Sequence, residues 1–381
     1  MNTVELEIDS LAYQGYGVGR HEGRVWFVPF TAPGDRIRAR AVKEKTNLVF
    51  GKAEEILRPA QDRMVPPCPF FGDCGGCDWQ FLPYKKQLEI KEVILKETLS
   101  RGKCAWSGDI RVHPSPQEWN YRNRIQMRLS PSGQPGFYRR ESRTITPVDS
   151  CLLAREELNG KLKELLVNPE KLPPGGFELR SSLSGTADLV PLSGKEDLPH
   201  DFSQVNNRVN EILRREIREN LVLLTSNRRD LSILDLFCGD GNLSLPLADL
   251  AKRIRGWDIS ASGVSEGNRK ASEFLNGDIL YTARSLEGDG KSIREEARRA
   301  DVLILDPPRR GLKGLEGFIS NLGVPRILYV SCSPPTLARD LNHLNKKGWE
   351  TKNIVLLDMF PQTYHMETLA VLERKPRTAE L

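Results

Sequence analysis

Three short apolar runs dominate the last third of the chain: Ile233-Leu234-Asp235-Leu236-Phe237, Val302-Leu303-Ile304-Leu305 and Ile327-Leu328-Tyr329-Val330, separated by segments of helix length. Runs that do not alternate with polar residues mark strands buried on both faces, and their spacing predicts a doubly wound α/β sheet. Residues 1 to about 58 are patterned differently. Short β-prone runs at Val4 to Ile8, Val25-Trp26-Phe27-Val28 and Arg36 to Val42 are punctuated by glycine turns, densest in Gly15-Tyr16-Gly17-Val18-Gly19. This rhythm predicts a small β-barrel of the OB type, a shape that often carries oligonucleotides but does not by itself specify a ligand. Pro66-Pro67 opens a loop-rich stretch, after which Tyr84 to Leu99 has helical periodicity with apolar Leu88, Val93, Ile94 and Leu95. A helix there, within residues 80–110, is placed to dock on a neighbouring domain. Around residue 125 the pattern alternates: Arg122, Arg124, Gln126 and Arg128 share one strand face, and Ile125, Met127 and Leu129 the other. Residues 165 to 200, rich in proline, glycine and serine, predict loops and short strands.

Composition narrows the class. The chain has 381 residues, room for two or three domains, and 28% charged against 39% hydrophobic residues excludes a disordered protein. A net charge of +5 favours a polyanionic partner, and the charge is concentrated: Trp119 to Arg143 holds six arginines and one acidic residue. Interleaved with Trp119, Tyr121, Phe137 and Tyr138, those guanidinium groups could hold phosphates while the rings stack on unpaired bases; a solvated face is the alternative. The N-terminus lacks a basic start followed by an apolar run, and no apolar stretch reaches membrane-spanning length, so a cytoplasmic protein is expected. Seven cysteines, three of them between Cys68 and Cys77, point to metal or catalytic thiols rather than a disulfide framework. Cys68-x5-Cys74-x2-Cys77, with Cys151 as a candidate fourth ligand, supplies four thiolates for either a tetrahedral zinc or an iron–sulfur cluster, and spacing does not choose between them.

Chemistry concentrates at the strand ends. Leu234-Asp235-Leu236-Phe237-Cys238-Gly239-Asp240-Gly241-Asn242 runs from the first strand into a glycine turn, where a ligand can approach backbone, but the third glycine of the dinucleotide fingerprint is missing. The next strand ends in Asp258, placed to accept hydrogen bonds from ribose hydroxyls or else to cap a helix. This constellation resembles class I S-adenosylmethionine-dependent methyltransferases. With Asp306-Pro307-Pro308-Arg309, Ser331-Cys332-Ser333 and Phe360-Pro361-Gln362-Thr363-Tyr364-His365-Met366-Glu367-Thr368, it resembles more narrowly the RNA uracil-C5-methyltransferase family, over nearly the whole chain.

The resemblance implies the roles. Uracil carbon 5 is too weak a nucleophile to take a methyl group unless something first adds to carbon 6, so Cys332 is the implied nucleophile and Glu367 the implied base for the carbon 5 proton. Glu367 ranks ahead of its neighbour His365 by the motif alone. Asp306 lines the gap between cofactor and base. Phe202-Ser203-Gln204-Val205-Asn206 matches the segment preceding the family's catalytic domain, and Gln204, Phe237, Gly239, Asn242, Asp258 and Asp306 are the implied cofactor neighbours. Two positions depart from the family pattern: Asp258 stands where glutamate is usual, and Arg284-Ser285 where an aspartate is frequent. For Cys68, Cys74, Cys77 and Cys151 the resemblance implies a structural 4Fe–4S cluster, with zinc as the alternative. It also implies three parts: a TRAM/OB-type RNA-binding barrel over residues 1–60, an α+β iron–sulfur and RNA-binding central domain over 61–200, and an α/β Rossmann-like class I methyltransferase domain over 201–381. Arg122, Arg124 and Arg128 are the candidate RNA contacts. The expected product is 5-methyluridine in structured RNA, made by a monomer. Large-subunit (23S) ribosomal RNA is the first expectation for the substrate, a transfer-RNA uridine the second, and a non-catalytic RNA-binding scaffold the alternative of another class.

Overall fold

Five strands close into a barrel at the N-terminus: β1 (Thr3–Leu11), β2 (Tyr16–His21), β3 (Arg24–Pro29), β4 (Arg36–Lys45) and β5 (Leu48–Arg58), in the order β1-β2-β3-β5-β4. Alternate residues face inward, so that Leu6, Ile8, Trp26, Val28, Ile37, Ala39 and Val49 form its core. Only the first of the clustered glycines turns the chain. Gly15 has φ +78°, whereas Gly17 and Gly19 lie inside β2, and a Cβ on Gly19 would sit 2.3 Å from the Glu7 carbonyl oxygen. β5 has no counterpart among the β-prone runs of the sequence. Its charged outer half hides the alternation, and Gly51 in its middle is there to admit the ring of Trp26, whose nearest carbon would lie 2.9 Å from a Cβ.

The computed structural model describes residues 3–182, 184–192, 204–274 and 277–375. Its contacts divide the chain into two units: Met1–Ile94, Ser115–Glu196 and Phe360–His365 form the first, and Leu95–Pro114, Asp197–Met359 and Met366–Leu381 the second. Among the described residues no helix is long and apolar enough to cross a membrane.

Beyond the barrel, α1 (Tyr84–Arg101) follows the predicted helix, with a different inner face. Ile90, Ile94 and Leu95 are buried, but Val93 is 53% exposed and Gln87 and Lys91 are buried in its stead. Their partners explain this: the Gln87 amide donates to the Trp79 and Leu82 carbonyls and to Gln362 Oε1 and accepts from the Gln362 N–H, and Lys91 Nζ donates to the Phe360 carbonyl. A polar side chain tolerates burial once its hydrogen bonds are met. After β6 (Arg111–His113), the first unit continues with β7 (Arg124–Leu129), β8 (Pro135–Tyr138), β9 (Ile145–Pro147), α2 (Glu156–Val167), β10 (Phe177–Ser181) and β11 (Ala187–Pro191). The strands form a sheet of order β11-β10-β7-β8-β9, and Ile125, Met127, Phe177 and Leu179 pack with Leu158, Leu162 and Leu165 of α2.

The second unit is the predicted α/β layer. Its elements are α3 (Asn207–Leu224), β12 (Leu231–Leu236), β13 (Ala251–Asp258), α4 (Ala261–Ala271), β14 (Asp278–Ala283), α5 (Gly290–Ala297), β15 (Val302–Leu305), α6 (Glu316–Ser320), β16 (Arg326–Ser331), α7 (Pro334–Lys346), β17 (Trp349–Leu357) and β18 (Glu367–Arg374). The sheet runs β14-β13-β12-β15-β16-β18-β17-β6, with β18 antiparallel to both its neighbours. Chain order reverses between β12 and β15, the switch point at which open α/β sheets bind ligands beyond their carboxyl ends.

Candidate active site

Strand pairing assembles the chemistry. In the parallel part, Leu236 is registered with Trp257 and with Leu305, and Leu305 with Tyr329, so the glycine turn, Asp258, Asp306 and Cys332 all emerge at one edge of the sheet. β18 runs the other way and starts at that edge. Its last registered pair with β16 is Ser331 with Thr368, so one further step sets Cys332 beside Glu367. The three residues named for the reaction therefore share one end of the second unit, although nothing local in the chain joins them.

The turn after β12 is built to leave backbone open. Phe237 has φ +67° and Gly239 φ +53°, and an ideal Cβ on Gly239 would meet nothing within 4 Å. A left-handed phenylalanine is strained backbone of the kind found at ligand sites. Gly241 cannot be larger, because its Cβ would lie 2.5 Å from the Tyr281 hydroxyl. The cap of α4 is Ser260, whose side chain accepts the Gly263 N–H, and not Asp258; the two Asp258 oxygens accept the N–H groups of Gly239 and Ser260 at 2.9 and 2.8 Å, tying the glycine turn to the start of α4. One lone pair on each oxygen is left for another donor. Asn242 is engaged elsewhere, since its amide makes a reciprocal pair with Asn210 of α3 at 2.9 and 3.0 Å. Gln204 is buried; Phe202 and Ser203 of the same segment lie outside the described residues.

Three side chains that the sequence left without a role gain one here. Asp235 is buried within β12 and neither carboxylate oxygen has a well-formed hydrogen bond, while burial pushes its carboxyl up to about 7, against the pull of the nearby Ser244 hydroxyl and with Asp258 and Asp240 adding to the rise. An orphaned buried carboxylate beside an open backbone turn is a costly arrangement that a cationic ligand group would relieve. The signal was visible as a lone acid inside an apolar run. Arg309, named in the sequence only as part of a motif, bears electrostatically on both Cys332 and Glu367. Its charge opposes the rise in the pKa of Cys332 and of Glu367. Tyr281, the third, shapes the glycine turn.

Thiol and carboxylate stand in a crowd of acids. Burial first, then the Glu367 carboxylate, pushes the Cys332 thiol up to about 12, with Arg309 pulling down and Asp306 pushing up. Burial and Asp306 raise Glu367, which is 3% exposed and whose Oε1 has no partner. Burial, with Asp235 and Asp258, raises Asp306 as well. The sign follows for thiol reactivity: a raised pKa means less thiolate at any given pH. Alkylation of Cys332 by iodoacetamide in the free protein, read from its own peptide by mass spectrometry, should climb about tenfold per pH unit up to about pH 10. A plateau reached below about pH 9, the profile of an unperturbed thiol, would contradict this electrostatic picture.

In the first unit, the structure gathers four of the seven free thiols, though among the described residues no group of ligating side chains converges as a ready metal site. Cys68, Cys74 and Cys77 are raised by burial first, Cys74 to about 11, and the charge of Cys151 adds to all three. The Gln80 side chain accepts from the Cys68 N–H at 3.2 Å and lowers the Cys77 thiol through a hydrogen bond. Asn159 of α2 holds the Cys151 backbone at both its N–H and its carbonyl, at 2.9 and 3.0 Å. Gly75 brings the cysteine loop against β8, since a Cβ there would sit 2.8 Å from the Tyr138 carbonyl.

Of the three candidate RNA-binding arginines, Arg124 and Arg128 lie on β7, and Arg122 precedes it. Arg122 is instead bonded through its backbone to Leu153 and Arg155 beside Cys151, and its charge lowers Cys74 and Cys77. The β7 face also holds an acid: Glu178, 2% exposed, accepts from Gln126 at 2.7 Å and pairs with Arg180. Tyr121 is not available for stacking, being 1% exposed with its hydroxyl on the Pro361 carbonyl at 3.1 Å.

Known proteins resemble the chain in both its halves. The family described as tRNA (Uracil-5-)-methyltransferase matches residues 196–375, and the TRAM domain matches residues 2–53. An uncharacterized RNA methyltransferase from Aquifex aeolicus is 31% identical, the match covering 98% of this chain and 99% of the relative. A 23S rRNA (uracil(1939)-C(5))-methyltransferase from Vibrio parahaemolyticus is 30% identical, over 97% of this chain and 95% of the relative. Among solved structures, the Pyrococcus abyssi tRNA (uracil-54, C5)-methyltransferase in complex with S-adenosyl-L-homocysteine shares the fold, with a TM-score of 0.73 and 24% identity over 96% of this chain and 100% of that one.

Proposed function

This chain belongs to the RNA uracil-C5-methyltransferase family, and from that premise we propose that Cys332 adds covalently to carbon 6 of its target uracil and that Glu367 later removes the carbon 5 proton. The observation that carries this reading is the β16–β18 register, which sets the thiol beside a buried carboxylate whose Oε1 has no partner. As Cys332 bonds to carbon 6, the carbon 5–carbon 6 π pair moves into an enolate through the carbon 4 carbonyl, and carbon 5 becomes nucleophilic. S-adenosylmethionine supplies the electrophilic methyl group that carbon 5 then takes. Glu367 accepts the proton from carbon 5, the double bond re-forms, and the carbon 6–sulfur bond breaks to return the thiolate. Arg309 offsets the negative charge gathered by Cys332, Glu367 and Asp306.

The open turn at Gly239, the free lone pairs of Asp258 and the orphaned Asp235 carboxylate fit a ligand with ribose hydroxyls and a cationic amino acid end. The cluster on Cys68, Cys74, Cys77 and Cys151 is a 4Fe–4S cluster on this reading, supported by the charge of Cys151 reaching each of the other three thiols and by the Arg122 guanidinium, which offsets anionic sulfur at Cys74 and Cys77. The cluster's part is structural, because neither addition to uracil nor methyl transfer moves an electron. Arg124 and Arg128 are the RNA contacts of the β7 face. The target is a uridine in large-subunit ribosomal RNA, a reading supported by the Vibrio relative's activity over nearly the full chain.

Digested nucleosides decide the matter. Transcripts of 23S ribosomal RNA and of transfer RNAs, incubated with labelled S-adenosylmethionine and the wild type, should yield labelled 5-methyluridine from the ribosomal transcript, and none with Cys332→Ala. Label in the transfer RNAs alone would move the substrate; label surviving in Cys332→Ala would end the covalent mechanism.

A further inference from the structure

Asp340 lies two turns into α7, whose first turn directly follows Cys332, and it is fully buried. Its Oδ2 accepts the Leu312 N–H at 2.8 Å and the Tyr329 hydroxyl at 2.7 Å, and its Oδ1 takes the Arg339 guanidinium at 2.7 Å. Each partner belongs to a different part of the site. Leu312 closes the loop that starts at Asp306 and carries Arg309, and Tyr329 stands three residues before Cys332 on β16. Arg339 in turn donates to the Arg310 carbonyl of that loop at 2.9 Å. The loop is shaped to receive the carboxylate. Gly311, at φ +64°, donates its N–H to the Pro308 carbonyl at 2.7 Å, and a Cβ on it would lie 2.4 Å from Asp340 Oδ2.

We propose that Asp340 is a positioning residue for methyl transfer: by holding Leu312, Tyr329 and Arg339 at once, it fixes the loop Asp306–Leu312 relative to Cys332. This rests on the reading of Cys332 as nucleophile. The groups whose charge bears on that thiol are Glu367 from β18 and Asp306 and Arg309 from the loop, so two of the three are placed by the segment Asp340 holds. An apolar residue could fill the same volume, but it could not bind a backbone N–H and a hydroxyl from two separate elements.

The test compares Asp340→Ala and Asp340→Asn with the wild type by hydrogen exchange across residues 306–312 and by methyl transfer to a 23S transcript. In Asp340→Ala the loop amides should exchange faster and kcat should fall about 100-fold, with KM for S-adenosylmethionine unchanged, because small misplacements of reacting groups cost about that much. Asp340→Asn should recover to within about tenfold of wild type, since an amide oxygen in the place of Oδ2 still accepts from both Leu312 and Tyr329, and only the Arg339 contact at Oδ1 is lost. Should alanine fail to fold, Tyr329→Phe removes one of the bonds alone, and about a fivefold loss in kcat is expected. Loop exchange as slow as in the wild type, or faster exchange with undiminished kcat, overturns the proposal. So does an asparagine variant no better than alanine, with kcat and KM damaged together. A wild type that methylates no uridine ends the functional reading and the positioning role with it, while Cys332→Ala separates the two: an inactive Cys332→Ala beside a fully active Asp340→Ala overturns the positioning role alone.

Discussion

Replacing Glu367 by glutamine should trap the enzyme on its RNA: a covalent protein–RNA complex that survives denaturation should accumulate, while release of 5-methyluridine falls about 10³-fold, the middle of the range for loss of a general base. Once carbon 5 holds the methyl group, the carbon 6–sulfur bond can break only as the electrons of the carbon 5–hydrogen bond swing in to re-form the double bond. Glutamine cannot take that proton. The candidates to replace it are few. Asp306 is the other carboxylate acting on the thiol, and the His365 ring is packed against Tyr364 at a centroid distance of 4.0 Å. An adduct that accumulates in Asp306→Asn and not in Glu367→Gln would move the base to Asp306, and free product at the wild-type rate from Glu367→Gln would sink the assignment. The pH dependence has a worked sign. Both the Cys332 thiol and the Glu367 carboxyl are raised by burial and by neighbouring acids, and both must lose a proton to act, so kcat/KM should rise with pH above neutrality rather than level off.

Removal of one cysteine ligand should have the second largest effect, and it should fall on the first unit. Anaerobically purified wild type should show broad visible absorption that dithionite bleaches; Cys151→Ser should lose it together with RNA affinity. Ligand binding that exists only in the folded state adds to folding free energy, so a loss of several kcal/mol, or about 10 °C in melting temperature, is expected. S-adenosylmethionine affinity, assigned in the proposal to the glycine turn and Asp258 of the second unit, should survive. Cys151 is the informative thiol because it comes from outside the Cys68–Cys77 loop and is held by Asn159 of α2. A colourless wild type holding one zinc would replace the cluster with a tetrahedral metal, and a wild type holding neither metal would remove this part of the proposal.

Much of this protein was legible in its sequence because the relevant physics is local. An apolar run such as Val302 to Leu305 declares a strand buried on both faces whatever packs on it, and the end of such a strand is where Asp306 or Cys332 must appear. The barrel, β5 apart, was legible for the same reason, from short β-prone runs punctuated by glycine. Polar burial was not. Gln87 and Lys91 took the inner face of α1, and Val93 was turned out, because Gln362 and the Phe360 carbonyl, more than two hundred residues away, hydrogen-bond to them. Tyr121 and Arg122 likewise left the expected stacking and phosphate face for partners at Pro361 and beside Cys151.

The sequence by itself determined most of the barrel strands, the central strands of the α/β sheet, the chemical types at their ends and, through their motifs, the reaction. Tertiary structure alone decided which of those ends are neighbours. β18, last in the chain, pairs with β16 in antiparallel register, and that pairing brings Glu367 to Cys332. Tertiary packing also makes Asp340 an anchor for a loop it never meets in the chain, and burial turns the ordinary carboxyls of Asp235, Asp306 and Glu367 into raised ones. A pKa is set by burial and by charges nearby in space, and neither is a property of neighbours in sequence.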